Sequence, residues 1–303
     1  MANTLVDFSN SLADAVEFAG RSVVGVLEGG RHGVSGTLWR AGVAVTAAHT
    51  IHGRQQVTVA LPDGGTVAAN VAGRDPGTDI AVLKLSASSA EPAHFGNAAE
   101  LRVGHVVLAV GRRGEEGLST SYGVISAIGA PWRTWQGGRV DRYLRLDLLP
   151  YPGFSGGPLV DVQGHVLGIN TSGPRRSVLT IPAATVDKVV TQLLEKGHIA
   201  RGYLGAGLQP VKLPQAAQQA LGEKREFGLL ILTIAPDSPV ECAGLLIGDI
   251  VLAIDGSAIS DTADLQPMLD PESVGKGVRA QILRAGKVTE ISVTIGERPR
   301  REG

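Results

Sequence analysis

The sequence predicts a mainly β protein: an antiparallel barrel or sandwich pair, then a smaller domain that mixes strands with short helices. Three observations predict it. From residue 22 to about 182, short apolar runs alternate with Gly, Pro, Asp and Asn turns, with no helical stretch between them. Glycine is abundant, at 41 residues, whereas aromatics make up only 4%; much glycine among Val/Ile/Leu runs favours turn-rich β structure. At 303 residues the chain exceeds the usual size of one core, so two domains are expected.

The elements follow in order. Residues 4–19 read as a helix, because Leu5, Phe8, Leu12, Val16 and Ala19 recur at three- and four-residue spacing, with Asp14 and Glu17 off that stripe. The β runs begin at "SVVGVLEG" and continue through "GVSGTLWRAGVAVTAAH", "DIAVLKL", "HVVLAVG" and "YLRLDLL" to "SVLTIPA". "PDGG" at 62–65 and "VQGH" at 162–165 are hairpin signals. A helix is expected over about 184–197, with Val186, Val189, Val190 and Leu193 on one face and Gly197 as its C-cap. Beyond it, "GLLILTIA", "GDIVLAIDG", "VRAQILRAG" and "KVTEISVTIG" read as strands, and "PQAAQQALG" and "DTADLQPMLD" as helices. "RPRREG" ends the sequence as a polar tail.

Composition excludes several function classes. Hydrophobic residues at 43% and charged residues at 19% fit a folded globular chain. A net charge of −1 argues against bulk-charge binding of nucleic acid. The pairs Arg112-Arg113 and Arg175-Arg176 read as solvated loops. One cysteine, Cys242, rules out an internal disulfide; it is expected to be a buried small hydrophobe. No run has the length of a transmembrane helix. The first twenty residues lack a basic start and an uninterrupted apolar run, so they do not read as a secretory leader. The compartment stays open: cytoplasmic if Met1 is native, periplasmic if a leader has been removed. His49 and His52 stand three apart with no carboxylate or third histidine at ligand spacing, so no metal and no other cofactor are expected.

"PGFSGGPLVD", residues 152–161, sets one serine among glycines and prolines. Such clusters also mark ordinary turns, so Ser155 needs partners before it reads as a nucleophile. Acyl transfer by a serine requires a histidine to take its proton and a carboxylate to hold that histidine in the right tautomer. His49 lies where the β run "VAVTAAH" breaks, and Asp79 lies at the start of the apolar run "DIAVLKL". The order His, Asp, Ser is that of chymotrypsin-like enzymes.

Together, "TAAH", "DIAVLKL" and "GFSGGPL" resemble trypsin-like serine proteases. "RVGHVVLAVG", "GVISAIG", "GHVLGINT" and "IPA" resemble their HtrA (DegP/DegS-type) branch, in which a PDZ domain follows the protease. The resemblance covers about residues 20–297. It implies a chymotrypsin-like double β-barrel over 21–200, an α+β PDZ-like domain over 201–297, a helical segment at 1–20 and a tail at 298–303.

The same resemblance implies residue roles. Ser155 would attack the peptide carbonyl, His49 would accept its proton, and Asp79 would orient His49. The amides of Gly153 and Ser155 would form the oxyanion hole. The branch usually has Asn where this chain has Phe154. The pocket floor would fall at Leu149 and Pro150 and at Ile169, Asn170 and Thr171. No carboxylate occupies the Leu149 position, so a small apolar residue before the cut is expected rather than Arg or Lys. In "RGYLGAGL", Tyr203, Leu204, Gly205 and Ala206 match the loop that receives a peptide's C-terminal carboxylate. Segments 111–120, 129–141, 149–154 and 172–177 would be the switching loops, and Arg133 a substitute for the family's sensor arginine.

The implied function is degradation of unfolded or misfolded proteins by a homotrimer held through N-terminal aromatic contacts such as Phe8, with C-terminal peptides bound at the PDZ domain. Two alternatives stay open at this level. One is a scaffold or chaperone whose triad is idle because Phe154 holds the hole shut. The other is a peptide-activated regulatory protease with a dedicated substrate.

Overall fold

A computed structural model describes residues 4–27, 33–51, 53–87, 90–113, 117–134, 137–149, 151–173, 178–215, 218 and 226–299. The chain divides into two compact units, Met1–Ile199 and Ala200–Gly303.

The first unit opens with α1 (Thr4–Gly20), whose Ala15, Ala19 and Gly20 are buried. Leu12 and Val16 pack against the core, but Leu5 and Phe8 at the start of the stripe are exposed, at 79% and 47%. Six strands then close a barrel in the order β1-β2-β3-β6-β5-β4. They are β1 (Val23–Leu27), β2 (Gly33–Arg40), β3 (Val43–Ala47), β4 (Gln56–Ala60), β5 (Thr66–Asp75) and β6 (Ile80–Leu85). The 62–65 turn joins β4 to β5 as the hairpin signal predicts, with the Leu61 amide donating to Gly65.

A second closed barrel has the order β11-β14-β13-β12-β7-β8. Its strands are β7 (Val106–Arg112), β8 (Leu118–Gly129), β11 (Tyr143–Asp147), β12 (Pro158–Val160), β13 (Val166–Ser172) and β14 (Val178–Pro182). Between β8 and β11 stands a small separate hairpin, β9 (Trp132–Arg133) with β10 (Arg139–Val140). Helix α2 (Ala183–Lys196) closes the unit with Val186, Val189, Val190 and Leu193 buried, and Gly197 caps it in the left-handed conformation. Each barrel has its own interior. Val24, Leu38, Val59 and Leu83 fill the first, and Val107, Ile125, Leu146 and Leu159 the second. A third cluster joins the barrels to both helices through Val45, Ile80, Val110, Ile169 and Ile181.

The second unit pairs β15 (Gly202–Tyr203) with β22 (Gly296–Glu297). Its main sheet runs β16 (Ala206–Lys212), β17 (Phe227–Ile234), β18 (Ile250–Ile254), β20 (Gly277–Arg284), β21 (Lys287–Thr294), with β19 (Ser257–Ala258) beside β18. β16 is an edge strand.

Three expectations are corrected here. The expected helix "DTADLQPMLD" forms a 3₁₀ helix, Thr262–Leu269, capped by Asp261; Pro267 within it has no amide to donate. A one-turn helix, α3 (Pro239–Cys242), lies inside "DSPVECAGL". Its inward face is taken by Val240, leaving Cys242 exposed rather than buried. Arg112 is not a solvated loop residue: it ends β7 and donates to the carbonyls of Val23 at 2.8 Å and Gly20 at 3.3 Å. Arg175 and Arg176 lie outside the described residues, as do His52 and Pro150 and most of "PQAAQQALG".

Candidate active site

The β3–β6 register builds the first half of the site. Ala47 faces Ile80 at the end of that ladder, so His49, two residues beyond Ala47, and Asp79, one residue before Ile80, emerge side by side. The Ala48 amide donates to the Asp79 carbonyl at 3.0 Å. His49 makes two contacts with the carboxylate: its amide donates to Oδ1 at 2.8 Å, and its Nδ1 meets Oδ2 at 2.6 Å. A carboxylate on Nδ1 fixes the tautomer in which Nε2 carries the lone pair that accepts a proton.

Asp79 is held in place from several sides. Its φ of +58° is left-handed, a conformation aspartate tolerates better than most residues. The turn before it is shaped by buried Asp75, which accepts from the Gly77 amide, the Thr78 amide and the Thr78 hydroxyl. The Thr171 hydroxyl also donates to Asp79 Oδ2. Burial opposes ionisation of Asp79, but the hydrogen bonds from His49 and Thr171 and the attraction of His49 outweigh it. The carboxyl is therefore held below its ordinary range.

The second half is the turn that carries Ser155. Gly156 donates its amide to the Asn170 carbonyl at 2.8 Å, and the Asn170 amide donates to Gly157 at 2.9 Å. This places Ser155 one residue from β13, the strand whose Thr171 touches Asp79. The same turn rests on the first barrel: Thr37 Oγ1 donates to the Gly156 carbonyl at 3.1 Å. A Cβ on Gly156 would stand 2.1 Å from the Ser35 carbonyl and 3.0 Å from the Ala47 nitrogen. Only glycine admits that approach, which brings the serine turn against the strand leading to His49. Ser155 is half-buried, and its side chain makes no hydrogen bond among the described residues.

Gly153 has φ +94°, again a glycine conformation. Its carbonyl is held by the Ser35 amide at 2.9 Å and the Ser35 hydroxyl at 2.6 Å. Among the described residues, neither the Gly153 amide nor the Ser155 amide donates to a protein acceptor. Phe154 is buried, its ring beside Gly111 and 5.7 Å from the Tyr151 ring.

Of the residues expected at the pocket floor, Leu149 is exposed and Ile169 is fully buried in the cluster between the barrels. Asn170 is buried and accepts from Thr180, and Thr171 turns to Asp79. Sequence reasoning missed Ser35 and Thr37. Their signal was two polar residues at period two within the apolar run of β2. It also missed Thr134, which donates to the Gly77 carbonyl from the β9–β10 hairpin.

In the second unit, Tyr203 ends β15 and Ala206 begins β16. Leu204 and Gly205 between them donate no backbone hydrogen bond among the described residues. Leu204, Ala206 and Leu208 line an apolar cavity with Ile231, Val240 and Val278.

Known proteins share this organisation. Residues 34–169 match the trypsin-like peptidase domain family and residues 202–295 the PDZ domain family. The chain is 34% identical over 270 residues to a probable periplasmic serine endoprotease, DegP-like, of Brucella suis, covering 86% of this chain and 52% of that relative. A relative of the same description from Halomonas elongata is 34% identical over 264 residues, covering 85% of this chain and 55% of its own length. The chain thus spans about half the length of the curated relatives it matches. Among solved structures, the HtrA-type protease AlgW with a tripeptide superposes with a TM-score of 0.73 at 30% identity, covering 96% of this chain and 99% of that one. The serine endoprotease from Yersinia pestis gives a TM-score of 0.74 at 27% identity, covering 95% of this chain and 98% of that one.

Proposed function

The chain belongs to the family of HtrA-type proteases, and we propose that it is a serine endopeptidase that cuts unfolded or misfolded proteins. The observation that carries this reading is the contact chain His49–Asp79–Thr171, with the Ser155 turn bonded to the residue beside Thr171. In the proposed reaction, His49 Nε2 takes the Ser155 proton as the hydroxyl attacks the scissile carbonyl. Asp79 holds Nδ1 and stabilises the imidazolium that forms. The Gly153 and Ser155 amides receive the developing oxyanion; loss of one such donor typically costs about 3–4 kcal/mol of barrier. His49 then protonates the leaving amine, and water releases the acyl group.

The buried position of Phe154 supports an open hole over one shut by its ring. The Leu204 and Gly205 amides, which donate no backbone hydrogen bond among the described residues, lie beside an apolar cavity and support recognition of a peptide's C-terminal carboxylate, with the peptide adding as a strand along β16. AlgW, a structural neighbour, was solved with peptides. A homotrimer is part of this reading, because Leu5 and Phe8 leave the start of the apolar stripe on α1 exposed.

The test is degradation of casein by the wild type and by Ser155→Ala, with and without an added C-terminal peptide. The reading predicts digestion by the wild type alone. Aggregation suppression by both proteins without digestion would favour the scaffold instead.

A further inference from the structure

Most main-chain groups of the turn before Ser155 have partners. The Phe154 amide donates to the Tyr151 carbonyl at 3.2 Å, and the Phe154 carbonyl accepts from the Gly157 amide at 2.9 Å. The Gly153 carbonyl accepts twice from one residue of the first barrel: from the Ser35 amide at 2.9 Å and from the Ser35 hydroxyl at 2.6 Å. The amide alone would satisfy that carbonyl, so the hydroxyl adds orientation rather than a missing bond.

Ser35 lies on β2 with no solvent exposure. A serine hydroxyl has one proton to give and lone pairs to receive. The Arg112 amide donates to Ser35 Oγ at 2.9 Å, so the hydroxyl proton is turned toward Gly153. Arg112 ends β7, and Ser35 therefore links a strand of the second barrel to the turn that carries Ser155, each bond polarising the next. The surroundings leave room for little more than this hydroxyl. A Cβ on Gly111 would stand 2.9 Å from Ser35 Oγ, and one on Gly157 would stand 3.1 Å from Ser35 Cβ. The Ser35 carbonyl is fixed in turn by the Thr46 hydroxyl at 2.7 Å.

Glycine at 153, with φ +94°, offers little resistance to rotation of the peptide groups on either side of it. Something other than residue 153 itself must hold them. We propose that Ser35 is a positioning residue for the oxyanion hole: its hydroxyl, directed by the Arg112 amide, locks the Gly153 carbonyl and so keeps the Gly153 and Ser155 amides aimed at one point. The proposal rests on the serine endopeptidase reading. Ser35 acts through Gly153 and not on the substrate.

Ser35→Ala removes the hydroxyl and keeps the amide-to-carbonyl bond. It is compared with the wild type on a fluorogenic peptide with valine before the cut. The two proteins are also compared in their affinity for a peptide boronic acid and for the matching peptide carboxamide. The boronic acid takes up Ser155 Oγ as a tetrahedral adduct whose negative oxygen needs the hole, whereas the carboxamide carries no such charge. The expected result is a kcat lower by about ten- to a hundredfold with KM within about twofold. Affinity for the boronic acid falls in step with kcat, and affinity for the carboxamide stays unchanged. A folded Ser35→Ala with unchanged kcat overturns the proposal. So does equal weakening of boronic acid and carboxamide, which marks general loosening rather than a misplaced hole. If Ser35→Ala does not fold, Gly111→Ala, whose added methyl group presses on the Ser35 hydroxyl, is read by the same criteria. A wild type that cuts no peptide, with or without an added C-terminal peptide, overturns the endopeptidase reading and the proposal with it.

Discussion

Thr134 donates its hydroxyl to the carbonyl of Gly77 at 2.5 Å, two residues before Asp79. The Gly138 amide donates back to the same hydroxyl at 3.1 Å. The β9–β10 hairpin thus braces the turn that delivers the carboxylate to His49. The fit is close: a Cβ on Gly138 would lie 2.2 Å from the Gly77 carbonyl carbon. Gly138→Ala must push hairpin and turn apart. A displacement near 1 Å at a reacting group can cost about a hundredfold in rate. Gly138→Ala is expected to lower kcat on a fluorogenic peptide by about ten- to a hundredfold. An unchanged kcat would show that the hairpin does not position Asp79.

Thr171 supplies one of the hydrogen bonds that hold Asp79 ionised. A hydrogen bond to a charged group is worth about 1.5–3 kcal/mol. Thr171→Val is expected to reduce kcat by about ten- to a hundredfold, with Thr171→Ser restoring most of it. Because valine keeps the methyl group and loses only the hydroxyl, an unchanged kcat in Thr171→Val would show that the hydroxyl does not support Asp79.

Acid should act on the same carboxyl. Its folded-state value lies below the ordinary aspartate value of about 3.9. Its contribution to stability is therefore present above about pH 4 and is lost as pH falls through the lowered folded value. The Tm gap between wild type and Asp79→Asn should stay constant from pH 7 to about pH 5 and shrink below about pH 4. A gap that widens on acidification would reverse the assigned direction.

The loop at Tyr203–Ala206 makes a separate claim. Calorimetric titration with a peptide carrying a free C-terminus should show binding, and amidation of that terminus should weaken it by at least about tenfold. Equal affinity for the two forms would remove the carboxylate from the recognition.

Much of this was legible in the sequence, and the rest follows from interactions that local sequence does not encode. Helix α2 was visible because its buried residues repeat at helical spacing and a glycine ends it. His49, Asp79 and Ser155 could be singled out as candidates because each sits in a distinctive short context, and the structure sets His49 against Asp79. The β9–β10 hairpin was not, since strands of two residues have no period to read. The role of Thr171 depends on the path of β13 past the β12 register shift between Leu159 and Val160, which no run of residues announces. Arg112 looked like a loop cation but is drawn to two backbone carbonyls near the end of α1, a tertiary partner that local composition cannot supply.

The account stands on Ser155 being a nucleophile activated by His49. The most direct measurement is mass spectrometry of the protein after reaction with a fluorophosphonate, which traps activated serines. The account predicts a single adduct on Ser155 that His49→Ala abolishes. An unmodified Ser155 in folded wild-type protein, with and without a bound C-terminal peptide, would contradict it.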